Sequence, residues 1–576
     1  MPELTWVGKD KVITHHLDVP YRVLERQYSF DGQGQHADDN GSPNMIIHGD
    51  NLEALKSLLP KHEGKVDCIY IDPPYNTGNE NWIYNDNVND PRIRKWLGEV
   101  VGREGDDLSR HDKWLCMMYP RLRLLRSLLA PTGVIFVSID DHEQASLKFL
   151  CDEIFGRANH LATFVWESTG HMDNQADITG VHEYIHAYAK DARLTAINAL
   201  IDPNVPEDSK IRRNFVENSC VKNGAKNPPS FITIPSGFPS TEESLYLPAH
   251  EFAPDFLAEV ETIGYITREV SKKYPVSYPL RLDPLIVENG KTVSPCRVFS
   301  GWMNANKLQR FVENNSAPVP EGDGSFHFYV TKSGAIYYRK EGRQSHYVQT
   351  VLRNLGTTET NKYMLEAMGL SFDFPKPIEL IDYLINMHTP KDGLVLDSFA
   401  GSGTTAHAVL QGNTLTGANR SFILIELGDY AEDLTAHRVR SAITGFERSG
   451  KAVPSHAGSF SYYALGPCLM TDGLLNPEVS IDDIRDYIWF SETKSPTRPH
   501  EDVAQYFLGI YAGTGYHLMY EPDRVTTLSF SYLSDLPSVQ RATSSVIYAD
   551  VCTVPEQTLQ QYNVTFKKIP RDITKL

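Results

Sequence analysis

Val66-Asp67-Cys68-Ile69-Tyr70-Ile71-Asp72-Pro73-Pro74-Tyr75 is a short apolar run closed by an acid, two prolines and a tyrosine. A run of that length, bounded by turn residues, reads as a buried β-strand. The prolines end it, because proline has no N–H to give a strand ladder. Upstream, Met45-Ile46-Ile47-His48 is a second strand, followed by Gly49-Asp50-Asn51. Asn51 to Leu59 has helical spacing, with Leu52, Leu55, Leu58 and Leu59 on one face. Downstream, a helix is predicted over about Lys113 to Ala130, broken by Pro131-Thr132-Gly133. Val134 to Ile139 is a third strand and His182 to Tyr188 another. Near-continuous apolar strands alternating with helices predict an α/β fold with a parallel sheet covered on both faces.

The pattern is lost from about 196 to 365, where prolines are frequent and periods mixed, and then returns. Pro377 to Met387 and Ser402 to Leu410 read as helices; Gly393 to Leu396 and Phe422 to Ile425 read as strands. One Rossmann-like domain is therefore split by an insertion. The expected organisation is an N-terminal arm (1–45), a first α/β half (46–195), an inserted domain (196–365), a second α/β half (366–450) and an α+β accessory domain (455–576). A length of 576 residues suits about three to four domains.

Composition narrows the class. The seven cysteines are scattered and form no Cys-x-x-Cys pair, which disfavours a disulfide framework or zinc site and suits a reducing cytosol. His15-His16 and His142 have no ligand-spaced carboxylate or cysteine around them, so no metal is expected. No uninterrupted apolar run is long enough to span a membrane, and the first residues lack the marks of a secretory signal. The net charge of -18 argues against nucleic acid on the sum alone, but a large chain can carry a local basic groove on an acidic body.

Asp397-Ser398-Phe399-Ala400-Gly401-Ser402-Gly403-Thr404-Thr405-Ala406 joins a strand to a helix. Glycines there let backbone approach a ligand, and the helix N-terminus offers free N–H groups. Glu426, at the end of the next strand, can accept hydrogen bonds from ribose hydroxyls. Gly401, Gly403, Ala406 and Glu426 also match nicotinamide-cofactor spacing, so the loop alone does not separate a dinucleotide from S-adenosylmethionine. Asp397 favours the second, since a carboxylate suits the amino group of a methionine moiety.

The Asp-Pro-Pro-Tyr run fits a specific chemical need. The lone pair of a base's exocyclic amine is delocalised into the ring, so the nitrogen is a poor nucleophile. The Asp72 carboxylate and the Pro73 carbonyl can accept its two N–H groups and aim the lone pair at a methyl donor, by positioning and electrostatics. Pro74 stiffens the turn, and Tyr75 can stack on a base flipped out of the duplex. A tight turn after a strand is the plain structural alternative.

Together these residues resemble the beta class of amino-group DNA methyltransferases, in which the catalytic half precedes the target-recognition region and the cofactor half. His48-Gly49-Asp50-Asn51, Asn76-Thr77-Gly78, His182-Glu183-Tyr184 through Ala189-Lys190, and Phe374-Pro375-Lys376-Pro377 extend the likeness over roughly 45–195 and 365–445. Within the class the chain is most similar to Mod subunits of type III restriction–modification systems. The resemblance implies a circularly permuted methyltransferase fold and a catalytic set Asp72, Pro73, Pro74 and Tyr75. It implies S-adenosylmethionine as cofactor, held by Asp50, Asn51, Lys376, Asp397, Phe399, Gly401, Gly403, Thr404 and Glu426, with Lys376 at the methionine part and Asp50 at the adenine. An Asp at the first catalytic position implies adenine N6 as target. The likeness also implies double-stranded DNA as substrate, a homodimer, a restriction or helicase partner in phage defence, and a cytoplasmic, nucleoid-associated location.

Asn76 and the basic–aromatic run Tyr338, Arg339, Lys340 and Arg343 are the expected DNA contacts. Pro295-Cys296 and Pro467-Cys468 look like the nucleophile of cytosine-C5 enzymes, but they lie outside the α/β halves without that family's acidic partner segment. The alternatives are an RNA adenine methyltransferase, cytosine-N4 transfer, and a catalytically silent DNA-specificity subunit.

Overall fold

The computed structural model describes residues 4–77, 108–168, 178–322, 324–342, 347–495, 498, 505–539, 542–570 and 572–573. The elements that frame the site are β1 (Arg22–Asp31), β2 (Gly34–His36), β3 (Met45–His48), α1 (Asn51–His62), β4 (Val66–Ile71), α2 (Leu108–Leu128), β5 (Leu129–Ile139), α3 (Gln144–Cys151), β6 (His160–Glu167) and β7 (His182–Ala189). After the insertion come β8 (Val351–Leu352), α4 (Ile378–His388), β9 (Leu394–Asp397), α5 (Thr404–Thr416), β10 (Ser421–Glu426), α6 (His437–Thr444) and β11 (Ser459–Cys468).

The strands form one sheet of 11 in the order β8-β6-β7-β5-β4-β9-β10-β3-β11-β1-β2. From β5 to β11 all neighbours are parallel. β7 runs antiparallel to β5 and to β6. The chain leaves β4 toward β5 but leaves β9 toward β10, so the order reverses between β4 and β9. Ligands of open α/β sheets bind at such a switch point, outside the C-terminal strand ends. That crevice is where Asp72 and the Gly401 loop emerge.

Strand periodicity sorts the side chains. Ile69 and Ile71 join a core with Leu55 and Leu58 of α1 and Leu122 and Leu125 of α2. Cys68 and Tyr70 point the other way and are equally buried. α4 and α5 pack against the sheet and bury Leu384, Ile385, Val409 and Leu410. α1 starts where Asp50 caps it, its Oδ1 accepting from Leu52 N at 2.9 Å and Glu53 N at 3.2 Å.

The boundaries differ from the expected ones at three places. Residues expected as an arm supply β1, which pairs with β11 from Arg22 to Asp31. β11, expected in the accessory domain, lies beside β3 in the main sheet. Trp489 of helix Ile481–Thr493 and Leu518 share the core of α1 and α2, so the C-terminal region packs as part of the same unit. The compact inserted unit covers 199–348, shorter than 196–365. Its C-terminal limit is earlier because β8 pairs with β6, and because Leu365 and Met368 pack against Leu434.

The inserted unit has its own core around Phe238, Trp302, Phe311 and Phe328. A four-stranded sheet runs Val319–Glu321, Gly324–Val330, Ile336–Glu341, Phe215–Ser219 in spatial order. Tyr338, expected to contact DNA, is 8% exposed and belongs to that core. Alternation explains it: Ile336 and Tyr338 face inward, leaving Tyr337 and Arg339 on the other face. Arg339 pairs with Glu217 at 3.1 Å and lies over Phe215, and Lys340 lies over the Phe326 ring. Arg343 lies outside the described residues. Among the described residues no helix is long and apolar enough to cross a membrane.

Candidate active site

Four neighbouring strands bring the site together. β4 ends one residue before Asp72, β9 ends at Asp397, β10 at Glu426 and β3 two residues before Asp50. Residues hundreds of positions apart therefore share one sheet edge.

The segment after β4 is braced almost residue by residue. Asp72 Oδ2 accepts from Lys376 Nζ at 2.7 Å, while its Oδ1 is buried without a hydrogen-bond partner among the described residues. The Trp114 indole N–H donates to the Pro74 carbonyl at 2.6 Å. The Tyr75 hydroxyl donates to Glu183 Oε2 at 2.8 Å. Asn76, in left-handed backbone geometry (φ 61°), donates to Glu143 Oε1 at 2.6 Å. Glu143 is fully buried and also meets His111 Nδ1 at 2.6 Å. Asn76, expected at DNA, is thus tied inward. Such bracing fixes the loop geometry that orientation effects need.

The Gly401 loop is equally built in. Gly401 N donates to Glu426 Oε2 at 2.6 Å, and Gly428 N to Glu426 Oε1 at 2.8 Å. Gly403 has φ +78°, and a Cβ there would sit 3.0 Å from the Thr435 carbonyl oxygen, so only glycine fits easily. Asp397 Oδ1 accepts from Phe399 N at 3.0 Å and its Oδ2 from Thr405 Oγ1 at 2.6 Å. Beneath the loop, fully buried Arg438 donates to Ser402 Oγ and Thr404 Oγ1 at 2.8 and 2.7 Å. Asn51 links this loop to α2: its Nδ2 donates to the Ser398 carbonyl at 3.0 Å, and its Oδ1 accepts from Arg121 Nε at 2.5 Å.

Electrostatics set the character of the crevice. Burial pushes the Asp397 carboxyl up to about 7, with the Asp72 and Glu426 charges adding to it. Burial likewise pushes Glu426 up to about 7, against hydrogen bonds that lower it. Burial alone would lower Lys376, but Asp72 and Glu183 outweigh it and raise the ammonium above its ordinary value. Two carboxylates, Asp72 and Glu183, thus share one buried ammonium, and a cationic ligand beside Asp397 and Glu426 would favour their charged forms.

Asp72, Lys376, Asp397, Phe399, Gly401 and Thr404 line one small cavity of about 20 Å³. Lys376, expected at the methionine part of a cofactor, shares this cavity with the Gly401 loop and is paired with Asp72. Asp50 lines a cleft of about 690 Å³ with His48, Arg121 and Asp429, a volume that suits a nucleoside-sized ligand. Glu426 lies between the two, touching the Gly401 loop through its carboxylate and β3 through its carbonyl, which accepts from Gly49 N at 2.9 Å. Trp114, Glu143, Arg121 and Arg438 carried no local sequence signal for this site. Glu183 lies in a segment of the resemblance, but its spacing alone gives it no role.

A glycine loop, a buried acid at the end of the next strand and a braced Asp-Pro-Pro-Tyr turn meet at one switch point of the α/β sheet. The chain matches the DNA methylase family (N6_N4_Mtase) over residues 66–437, and it belongs to that family. It is 32% identical over 446 residues to the EcoPI Mod subunit of a type III restriction-modification enzyme from Escherichia phage P1, covering 73% of this chain and 63% of that one. It is 30% identical over 453 residues to the EcoP15I Mod subunit from Escherichia coli, covering 75% and 65%. With the type II methyltransferase M.KpnI of Klebsiella pneumoniae it shares 28% identity over 396 residues, covering 67% and 81%. The chain spans less than two thirds of the length of these two Mod subunits.

Proposed function

We propose that the chain is an S-adenosylmethionine-dependent methyltransferase that acts on N6 of adenine in double-stranded DNA, as the modification component of a restriction–modification system. The observation that carries this reading is the meeting of Asp72-Pro73-Pro74-Tyr75 with the Gly401 loop at the β4/β9 switch point. The residues fit the cofactor: Asp397 and Glu426 are buried carboxyls that hold the Gly401 loop, and a cationic ligand beside Asp397 would favour its charged form. When bound, the cofactor supplies an electrophilic methyl group on a sulfonium.

The chain's residues do the rest by positioning. Asp72 Oδ1, buried and without a partner among the described residues, accepts one N–H of the target amine. The Pro73 carbonyl accepts the other, so the nitrogen lone pair is directed out of the base plane. Asp72 Oδ1 also receives the proton that the nitrogen sheds once alkylated. The Tyr75 ring, fixed through its hydroxyl, stacks on the flipped base. Glu426, held by Gly401 N, Gly428 N and the Tyr430 hydroxyl, keeps lone pairs for ribose hydroxyls. Asp397 faces the amino group of the methionine part, and the cleft beside Asp50 takes the adenine of the cofactor.

Adenine is favoured over cytosine by Asp72 at the first catalytic position, as in the class this sequence resembles. The names of the relatives support a restriction–modification role; a second polypeptide for cleavage and a homodimer of this chain are part of the same proposal. Acting on cellular DNA, such an enzyme works in the cytoplasm at the nucleoid. The test is transfer of labelled methyl groups to unmethylated duplex DNA and to RNA. Label is expected in DNA adenine, and none is expected with Asp72→Ala. Full activity of that variant would refute the assignment.

A further inference from the structure

Glu183 meets the catalytic segment without an assigned role. It stands near the start of β7, and because β7 runs antiparallel to β5, that start lies at the end of the sheet where β4 finishes. Its Oε2 accepts from the Tyr75 hydroxyl at 2.8 Å and lies 3.2 Å from Lys376 Nζ. Lys376 Nζ is also 2.7 Å from Asp72 Oδ2 and 5.0 Å from the centroid of the Tyr75 ring. One buried ammonium is therefore shared by two carboxylates, over the ring on which a flipped base is proposed to stack.

We propose that Glu183 is a positioning residue: it fixes the Tyr75 ring through its hydroxyl and receives the Lys376 ammonium when the target amine engages Asp72. The inference rests on the methyl-transfer reading above. The ammonium stands 5.0 Å from the Tyr75 centroid, so a base stacked on that face of the ring moves it away from Asp72 Oδ2 and toward Glu183. A buried cation that leaves one carboxylate without reaching another is strongly penalised. Glu183 is already within ion-pair distance, so the shift keeps Lys376 paired throughout. The other titratable groups around Lys376 are Tyr75 on the segment that carries Asp72, and Tyr70 and Asp397 across the small cavity. None of these replaces Glu183, since burial raises the phenols above their ordinary range and both Asp397 oxygens are already bonded, to Phe399 N and Thr405 Oγ1.

The test uses the full chain without cofactor or DNA. Lys376 is acylated with acetic anhydride across a pH series, and its labelling is read by peptide mass spectrometry in wild type, Glu183→Gln and Glu183→Asp. Losing one of two neighbouring carboxylates is expected to move the labelling midpoint down by about one to three pH units in Glu183→Gln. Glu183→Asp should stay near wild type. Coincident curves for wild type and Glu183→Gln overturn the proposal, whether or not the chain methylates DNA. In transfer assays, Glu183→Gln should lower kcat about tenfold or more, move the alkaline limb of the pH profile down and leave cofactor affinity unchanged. A merely structural role would lower the melting temperature and leave both pH curves in place, which also overturns it. Tyr75→Phe, which cuts only the hydroxyl arm, should keep the wild-type labelling curve. A wild type that transfers no methyl counts against the proposed function, while the labelling curve still decides the pairing of Glu183 with Lys376.

Discussion

Replacing Asp397 with Asn is expected to stabilise the ligand-free chain above neutral pH while weakening its hold on a cationic ligand. The Asp397 carboxyl is raised from 3.8 to about 7, chiefly by burial. In the unfolded chain it ionises near 3.8, while in the folded chain it keeps its proton to about 7. Wild-type stability therefore falls as pH rises between these values and is level above them. At about 1.4 kcal/mol per unit, the loss between pH 5 and pH 8 is on the order of 3 kcal/mol. Asparagine avoids it and keeps the local bonds: its oxygen can accept from Phe399 N, and its amide can donate to Thr405 Oγ1. Urea unfolding of both proteins at pH 5 and pH 8 is the assay. The stability of Asp397→Asn relative to wild type should rise by about that amount across the interval. A difference that does not change with pH would refute the reasoning.

Trp114→Phe removes the donor to the Pro74 carbonyl inside a fully buried contact. Stability should fall by about 1–3 kcal/mol and kcat about tenfold, with cofactor affinity intact by calorimetry. Asp50 has two separable jobs. Asp50→Ala should cost about 1 kcal/mol of stability through the lost α1 cap, whereas Asp50→Ser should keep most of that stability and still bind cofactor more weakly, as thermal melts and titration calorimetry will read.

The parallel sheet was legible because buried strands leave unbroken apolar runs: Val66 to Ile71 is read from sequence with the same limits that the structure gives it. The loops were legible because their chemistry is local, as in Asp72-Pro73-Pro74-Tyr75 and Gly401-Ser402-Gly403. What supports those loops was not. Trp114 reaches Pro74 from a helix 40 positions on, and Arg438 reaches Ser402 from 36 positions on, and nothing in spacing reports such meetings. Motif order likewise says nothing of the pairing of Lys376 with Asp72 across 304 positions. Tyr338 read as a DNA contact because a basic–aromatic run looks the same whether its aromatics face solvent or core; strand alternation decides which. β11 was assigned to the accessory region because a strand at a sheet's far side carries no mark of its neighbour.

The central claim is tested most directly by nucleoside mass spectrometry of unmethylated duplex DNA after incubation with the purified chain and methyl-labelled S-adenosylmethionine. The account expects labelled N6-methyladenine with wild type and none with Asp72→Ala. Labelled N4-methylcytosine in its place, no label at all, or equal label with Asp72→Ala would contradict it.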